Sequence, residues 1–228
     1  VREHSDVLER AMGYPYPAPS RPFVQRGHDT FDPVELEVDW RERLPVLAYG
    51  SNAAPQALAH KLALSDDPVL VVPAWLHDFD VVYSAHISPY GAVPATLQRS
   101  PGTAARVHVA YMTSEQLVLV SATEPNYEPT ALKAVDCRLD EGETVSSLSA
   151  YISRHGCLLA EESEVALSAV QATDRRFVEM SEPQVLEHVR ALACPKESLE
   201  TFVLGNVTDP DLAGTRTALL PRQALLQR

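Results

Sequence analysis

Four consecutive residues, Tyr49-Gly50-Ser51-Asn52, stand where an apolar run must turn into a helix. Leu44 to Tyr49 reads as a short buried strand, and Ala53 to Leu62 is rich in helix formers. A glycine turn feeding a helix leaves backbone N–H groups without partners at the positive end of the helix dipole, so the spacing predicts an anion site. The anion would be a carboxylate or a similar small group, because the loop lacks the G-x-x-x-x-G-K-[ST] and G-x-G-x-x-G patterns of phosphate cradles. An ordinary strand-to-helix connection has the same local pattern, and the residues alone leave both readings open. Ser51 reads as a cap or ligand rather than a nucleophile, since its surroundings lack the G-x-S-x-G elbow.

Other chemistries find less support. The eight histidines are scattered without H-x-x-x-H spacing, so no metal site is expected, and His77, His86 and His108 read as structural or surface residues. Cys137, Cys157 and Cys194 are odd in number and widely spaced, which suits reduced, mostly buried thiols and a cytoplasmic location. Asp174-Arg175-Arg176 reads as a solvated turn. With 19 basic against 31 acidic residues, the formal charge of -12 would repel nucleic acid and anionic membrane surfaces. No apolar run reaches the roughly 18 residues of a membrane helix, and the opening residues lack a signal-peptide core. A chain of 228 residues, 45% hydrophobic, can bury a full core without disulfides or metal.

The elements that must position the loop follow from pattern. Ser5 to Met12 predicts a short helix, and the proline-rich run from Gly13 to Pro22 must be an extended arm. Ser51 or Asn52 is expected to cap the helix after the loop, with Leu58 and Leu62 on one face. Val69–Val72, Phe79–Tyr83, Ala95–Gln98 and Arg106–Tyr111 predict strands of a compact sheet or barrel, with a turn at Pro101-Gly102 between the last two. Thr113 and Gln116 form a capping box that opens a helix through Leu117 and Val120, ended near Glu124 by Pro125. Ser147–Ile152 predicts a strand, and Glu162–Thr173 and Glu182–Leu192 predict helices.

Ala48-Tyr49-Gly50-Ser51-Asn52, after an apolar strand and before a helix, resembles the signature loop of the γ-glutamylcyclotransferase superfamily. Trp75 to Val81 is similar to that family's second strand region, and Ala95 to Gly102 to its strand and Pro-Gly turn. Val107 to Thr113 then precedes a helix ending in Glu124, where members carry a catalytic glutamate. The four motifs span about residues 45 to 130 in the family's order.

The resemblance implies an α+β fold, a small mixed β-barrel with flanking helices and a surface cavity, in which the loop holds a γ-glutamyl group and Glu124 moves protons. Leu117, Val120 and Glu124 share a helix face, so the carboxyl is expected against apolar surroundings. Tyr49, Gly50, Ser51, Asn52 and Tyr127 are the expected substrate-binding residues. The implied activity converts a γ-glutamyl amide to 5-oxoproline and an amine, a transferase or lyase reaction on a small carboxylate substrate that calls for no cofactor. A non-catalytic binding module for a small carboxylate, or an amide or ester hydrolase, fits the same fold. The chain departs from the family at Pro125-Asn126-Tyr127-Glu128-Pro129, where Glu128 competes for the role of base. Residues 45–175 are expected to form the core. Residues 1–44 form an N-terminal extension with the proline-rich arm, and 176–228 a C-terminal helical extension; either can serve a homo-oligomer.

Overall fold

The computed structural model describes residues 2–36 and 38–226. Its centre is a long antiparallel pair, β4 (Val69–Tyr83) and β5 (Ala95–Met112), which follows β1 (Phe23–Arg26), β2 (Asp29–Phe31) and β3 (Leu44–Ala48) in the chain. β6 (Tyr127–Leu139) and β7 (Thr144–Ser153) form a second antiparallel pair. β3 joins the two: it runs antiparallel to β5, with Val46 opposite Ala110, and parallel to β7, with Leu47 opposite Ala150. β6 returns to β4, with Leu76 opposite Cys137. The circuit β5-β3-β7-β6-β4-β5 is therefore a closed five-stranded barrel within a mixed α+β fold, the architecture that the resemblance implied. The short strands β8 (Cys157–Ala160), β9 (Ser163–Leu167), β10 (Ala172–Thr173), β11 (Val178–Met180) and β12 (Arg222–Gln223) extend its edges, and β1 adds to β4.

The pleat of β3 divides the core. Leu47 faces the barrel interior, a cluster that also takes in Ala11 and Tyr14 from the N-terminal segment and Val185, Leu186 and Phe202 from near the C terminus. Val46 faces outward into a second cluster with Leu58, Leu62 and Val120. Those residues belong to α2 (Pro55–Lys61), its C-cap Leu62, and α3 (Ser114–Ala122), which therefore share one outer face of the barrel. α1 (Arg2–Met12) contacts α4 (Glu182–Ala193) and α5 (Leu199–Thr208), and α6 (Pro210–Ala218) packs on α5.

Several expectations change in physical detail. Pro101-Gly102 is not a hairpin turn but part of a bulge inside one continuous β5. Gly102 takes a positive φ of 88° and donates its N–H to Asp78 Oδ1 at 2.9 Å, while Asp78, with φ of 64°, breaks the register between His77 and Phe79. The helix expected over 162–173 is instead β9, a turn and β10. Ala160 pairs with Ser163, and Val178 to Met180 run parallel to Val165 to Leu167, so strand partners on both sides override the helix propensity of Glu and Ala. The expected strand over 147–152 and helix over 182–192 are present within β7 and α4, and the Thr113–Gln116 capping box opens α3.

Candidate functional site

β3 ends at Ala48, and the chain then makes a single 3-10 turn, Ser51–Ala53, before α2 begins. Neither Ser51 nor Asn52 caps α2, contrary to expectation. Pro55 confines Ala54 to an extended conformation, which separates the turn from the helix and leaves Ala54 in the cap position. No side chain caps the Ser51–Ala53 turn, so its leading N–H groups at Ser51 and Asn52 lack an intrahelical acceptor. Gly50 is required by a close approach: a Cβ there would run into the hydroxyl of Tyr14, which the N-terminal arm lays over the loop.

α3 stops at Ala122, two residues short of Glu124. The Glu124 N–H bonds the Ser121 carbonyl at 3.1 Å, and the Tyr127 N–H bonds the Glu124 carbonyl at 3.0 Å, a tight turn with Pro125 at its second position. Because α2 and α3 both feed the outer cluster around Val46, this turn brings Glu124 against the end of α2. Its Oε1 accepts from Asn52 Nδ2 at 3.1 Å and from Lys61 Nζ, and Lys61 Nζ also donates to Asn52 Oδ1 at 2.7 Å. The apolar surroundings expected for Glu124 are thus replaced by a lysine and an amide. The helix period predicts the carboxyl on α3, whereas it lies beyond the helix end, where the last turn of α2 reaches it.

Loop and glutamate open on one cavity of about 990 Å³. Tyr49, Gly50, Ser51, Asn52, Glu124 and Tyr127 all line it, as do Lys61, Tyr14, Tyr90 and Tyr151, which the sequence reading did not single out, and His86, expected as a structural or surface residue. Glu128 does not line it; it is paired with Arg154 at 3.5 Å on the exposed side. Two tyrosines are pinned by one peptide unit. Tyr127 donates to the Ala95 carbonyl at 2.8 Å, and the Ala95 N–H donates to the Tyr14 hydroxyl at 2.8 Å. Tyr49 donates to the Tyr151 carbonyl. Burial pushes the hydroxyls of Tyr14, Tyr49, Tyr90 and Tyr127 upward, so the wall is neutral and rich in hydrogen-bonding groups at physiological pH.

His86 adds a neutral imidazole. Its Nδ1 bonds Ser84 Oγ at 2.6 Å and its ring stacks on His155 at 4.6 Å, and burial followed by the neighbouring imidazole pushes it down to about 3. His77, His86 and His108 do not converge. His77 lies opposite Ala104, whereas His108 lies opposite Pro73 and bonds the Pro19 carbonyl at 3.0 Å. Among the described residues no cluster of His, Cys, Asp or Glu could hold a metal ion, and no helix is long and apolar enough to cross a membrane. Cys137 and Cys157 are buried and unpaired, and burial raises their thiols to about 12 and about 11.

The missed residues had a faint signal. Ala57 and Lys61 lie one turn apart beside the Leu58 and Leu62 stripe of α2, so the helix period alone set Lys61 at the border of the packed face. Nothing local marked Tyr14, whose place depends on how the arm folds back.

No family model and no curated protein matches the sequence. Among solved structures, the chain is similar to a solution structure from Arabidopsis thaliana, 24% identical over 49% of this chain and 62% of that one, at a TM-score of 0.38. It thus spans about six tenths of that protein's length. It is also similar to a gamma-glutamyl cyclotransferase, 14% identical over 82% of this chain and 93% of the other, at a TM-score of 0.39. A crystal structure of an uncharacterized Homo sapiens protein aligns with the same identity and coverage at a TM-score of 0.38.

Proposed function

We propose that this chain cyclises a γ-glutamyl amide to 5-oxoproline and releases the amine. The observation that carries the reading is the Glu124 carboxylate, bonded at 3.1 Å to the side chain of the loop residue Asn52 on the wall of an open cavity. A carboxylate held beside a loop with unpaired N–H groups supplies the two things the reaction needs, a base and a clamp.

The substrate's own α-amine attacks its γ-carbonyl, so no protein nucleophile enters. The attacking group is already tethered five atoms around the incipient ring, which supplies much of the rate advantage. Glu124 takes the proton from the α-ammonium; the new N–C bond forms and the carbonyl becomes a tetrahedral oxyanion near the loop. The oxyanion collapses and the old C–N bond breaks; the ring nitrogen gives up a second proton and keeps one hydrogen, and both protons pass by way of Glu124 to the departing nitrogen, which leaves as an ammonium. Both hydrogen bonds to Glu124 end on Oε1, and Oε2 makes none among the described residues, which keeps lone pairs open for this transfer.

One feature favours a second reading. The Glu124 carboxylate already has a cationic partner in Lys61, so the cavity can hold a small carboxylate metabolite without turning it over. The two readings separate cleanly. The purified protein is incubated with a panel of γ-glutamyl amines, γ-glutamyl amino acids and glutathione, and 5-oxoproline is measured by chromatography. Product from at least one member, abolished in Glu124→Gln, supports the enzyme. No product from any, with ligand affinity retained in Glu124→Gln, supports the binding module.

A further inference from the structure

We infer that Lys61 and Glu124 form a receptor for the zwitterionic head of an α-amino acid, in which Lys61 binds the α-carboxylate of the γ-glutamyl unit. The inference rests on the reading above and names what the site demands of its substrate.

An ion pair is a stabilising contact wherever its two charges meet, but this one sits on a cavity wall. The side chains of Lys61 and Glu124 are 13% and 14% exposed, and both line the space where a ligand would lie. Asn52 holds the two charges at a fixed separation, its Oδ1 on the ammonium and its Nδ2 on the carboxylate. With its oxygen toward a donor-only group and its nitrogen toward an acceptor-only group, the amide has one orientation that satisfies both.

An α-amino acid head presents an ammonium and a carboxylate on one carbon, in the complementary arrangement. On binding, the protein pair exchanges partners: Glu124 takes the ligand ammonium and Lys61 takes the ligand carboxylate. Each protein charge keeps an opposite charge beside it. A ligand with the ammonium alone would draw Glu124 away and leave Lys61 in a partly buried site beside a second cation, an arrangement that costs far more than it gains. A second cationic side chain, Arg10, also lines the cavity, its guanidinium lying 5.4 Å over the ring of Tyr90, another lining residue, which places it on the tyrosine wall. Lys61 is the basic group in contact with Glu124 and with the loop.

Three chromogenic anilides test this in the full chain: γ-glutamyl-4-nitroanilide, its α-methyl ester, and 4-aminobutyryl-4-nitroanilide, which lacks the carboxylate. A charged hydrogen bond lost from the ligand corresponds to about 10- to 100-fold in kcat/KM, mostly through KM, so the first should exceed the other two by that factor. Lys61→Met should abolish the preference, the free acid falling and the other two rising toward a common level because no cation is then stranded beside the ligand ammonium, and Lys61→Arg should restore most of the preference. Equal use of acid and ester by the unmodified protein overturns the inference. So does a Lys61→Met protein that melts normally yet loses all three substrates alike, because Lys61 then only holds Glu124. Turnover of none of the three by the unmodified protein overturns the cyclotransferase reading instead. Calorimetric titration with L-glutamine, its α-methyl ester and 4-aminobutyramide then decides the role of Lys61 alone: preference for L-glutamine that vanishes in Lys61→Met supports it, and equal or absent affinity for all three sinks it.

Discussion

Asp80 and Glu124 each face a basic side chain, and the two pairs are built in opposite ways. Asp80, on β4, is fully buried. It accepts from Arg175 Nε at 2.9 Å and Nη2 at 3.1 Å and from the Val81 N–H at 2.8 Å, while Arg175 also bonds Glu179 and the Val170 carbonyl. Both carboxylate oxygens and all three guanidinium nitrogens are engaged, and three chain segments are tied together. Glu124 takes both of its contacts on one oxygen, leaves the other free, and opens on the cavity. The sealed pair has no capacity left for a guest, whereas the open pair is saturated only until one arrives. Satisfaction and access, rather than the presence of an ion pair, separate a structural carboxylate from a site.

The largest effect is expected at Glu124. Glu124→Gln keeps an acceptor for Lys61 and removes the base, so 5-oxoproline formation should fall by about 10²- to 10⁴-fold. The unfolding free energy from denaturant titration should fall by only about 1–2 kcal/mol. Arg175→Met should do the reverse. It leaves Asp80 buried without its cation, a loss of about 3–5 kcal/mol seen as a lower melting temperature, with turnover per folded molecule unchanged. A stability loss in Glu124→Gln as large as that in Arg175→Met would erase the distinction.

The same contrast shows what was legible beforehand. The loop, the strand before it and the capping box of α3 are local patterns, and each could be read from fewer than ten residues. Glu124 was reached by motif order, but its partner was not, because Lys61 depends on α2 and α3 sharing a packed face through Leu58 and Val120. Arg175 was read as part of a solvated turn from its neighbours Asp174 and Arg176, yet its side chain is 7% exposed, since the carboxylate it meets lies 95 residues earlier. β9 was read as helix for a similar reason: its strand partners sit on either side of it in space, and composition alone favours Glu and Ala in helices.

A third carboxylate has no cationic partner among the described residues. Glu182, in the first turn of α4, is 2% exposed; its Oε1 accepts from the Val93 N–H at 2.7 Å and its Oε2 has no partner among the described residues. Burial pushes this carboxyl well above the usual carboxylate range. A raised folded-state value means that its contribution to stability is whole below about pH 4.3, the unfolded value, and is lost as pH rises through the folded value. Glu182→Gln mimics the protonated acid and carries no such dependence. Urea denaturation of both proteins from pH 4 to 8 should show Glu182→Gln gaining on the parent as pH rises, by at most about 1.4 kcal/mol per pH unit. A constant difference would mean that Glu182 is ionised in the fold and belongs with Asp80.

The smallest effects come from the two tyrosines on the Ala95 peptide, and they should differ in a defined direction. Tyr14→Phe removes the acceptor of the Ala95 N–H, a donor with one hydrogen in a residue that is 2% exposed. An unpaired buried donor costs about 1–3 kcal/mol. Tyr127→Phe removes a donor to the Ala95 carbonyl, which has two lone pairs and tolerates the loss of one partner better, so about 1 kcal/mol is expected. Both rings stay in place, and neither substitution touches Glu124, Lys61 or Asn52. Melting curves should therefore rank Tyr14→Phe below Tyr127→Phe, with KM for a γ-glutamyl amide within a few-fold of the parent in the latter. A large rise in KM for Tyr127→Phe would place its hydroxyl on the ligand rather than on Ala95, and would extend the open, reactive region of the cavity from the Glu124 pair to the tyrosine wall.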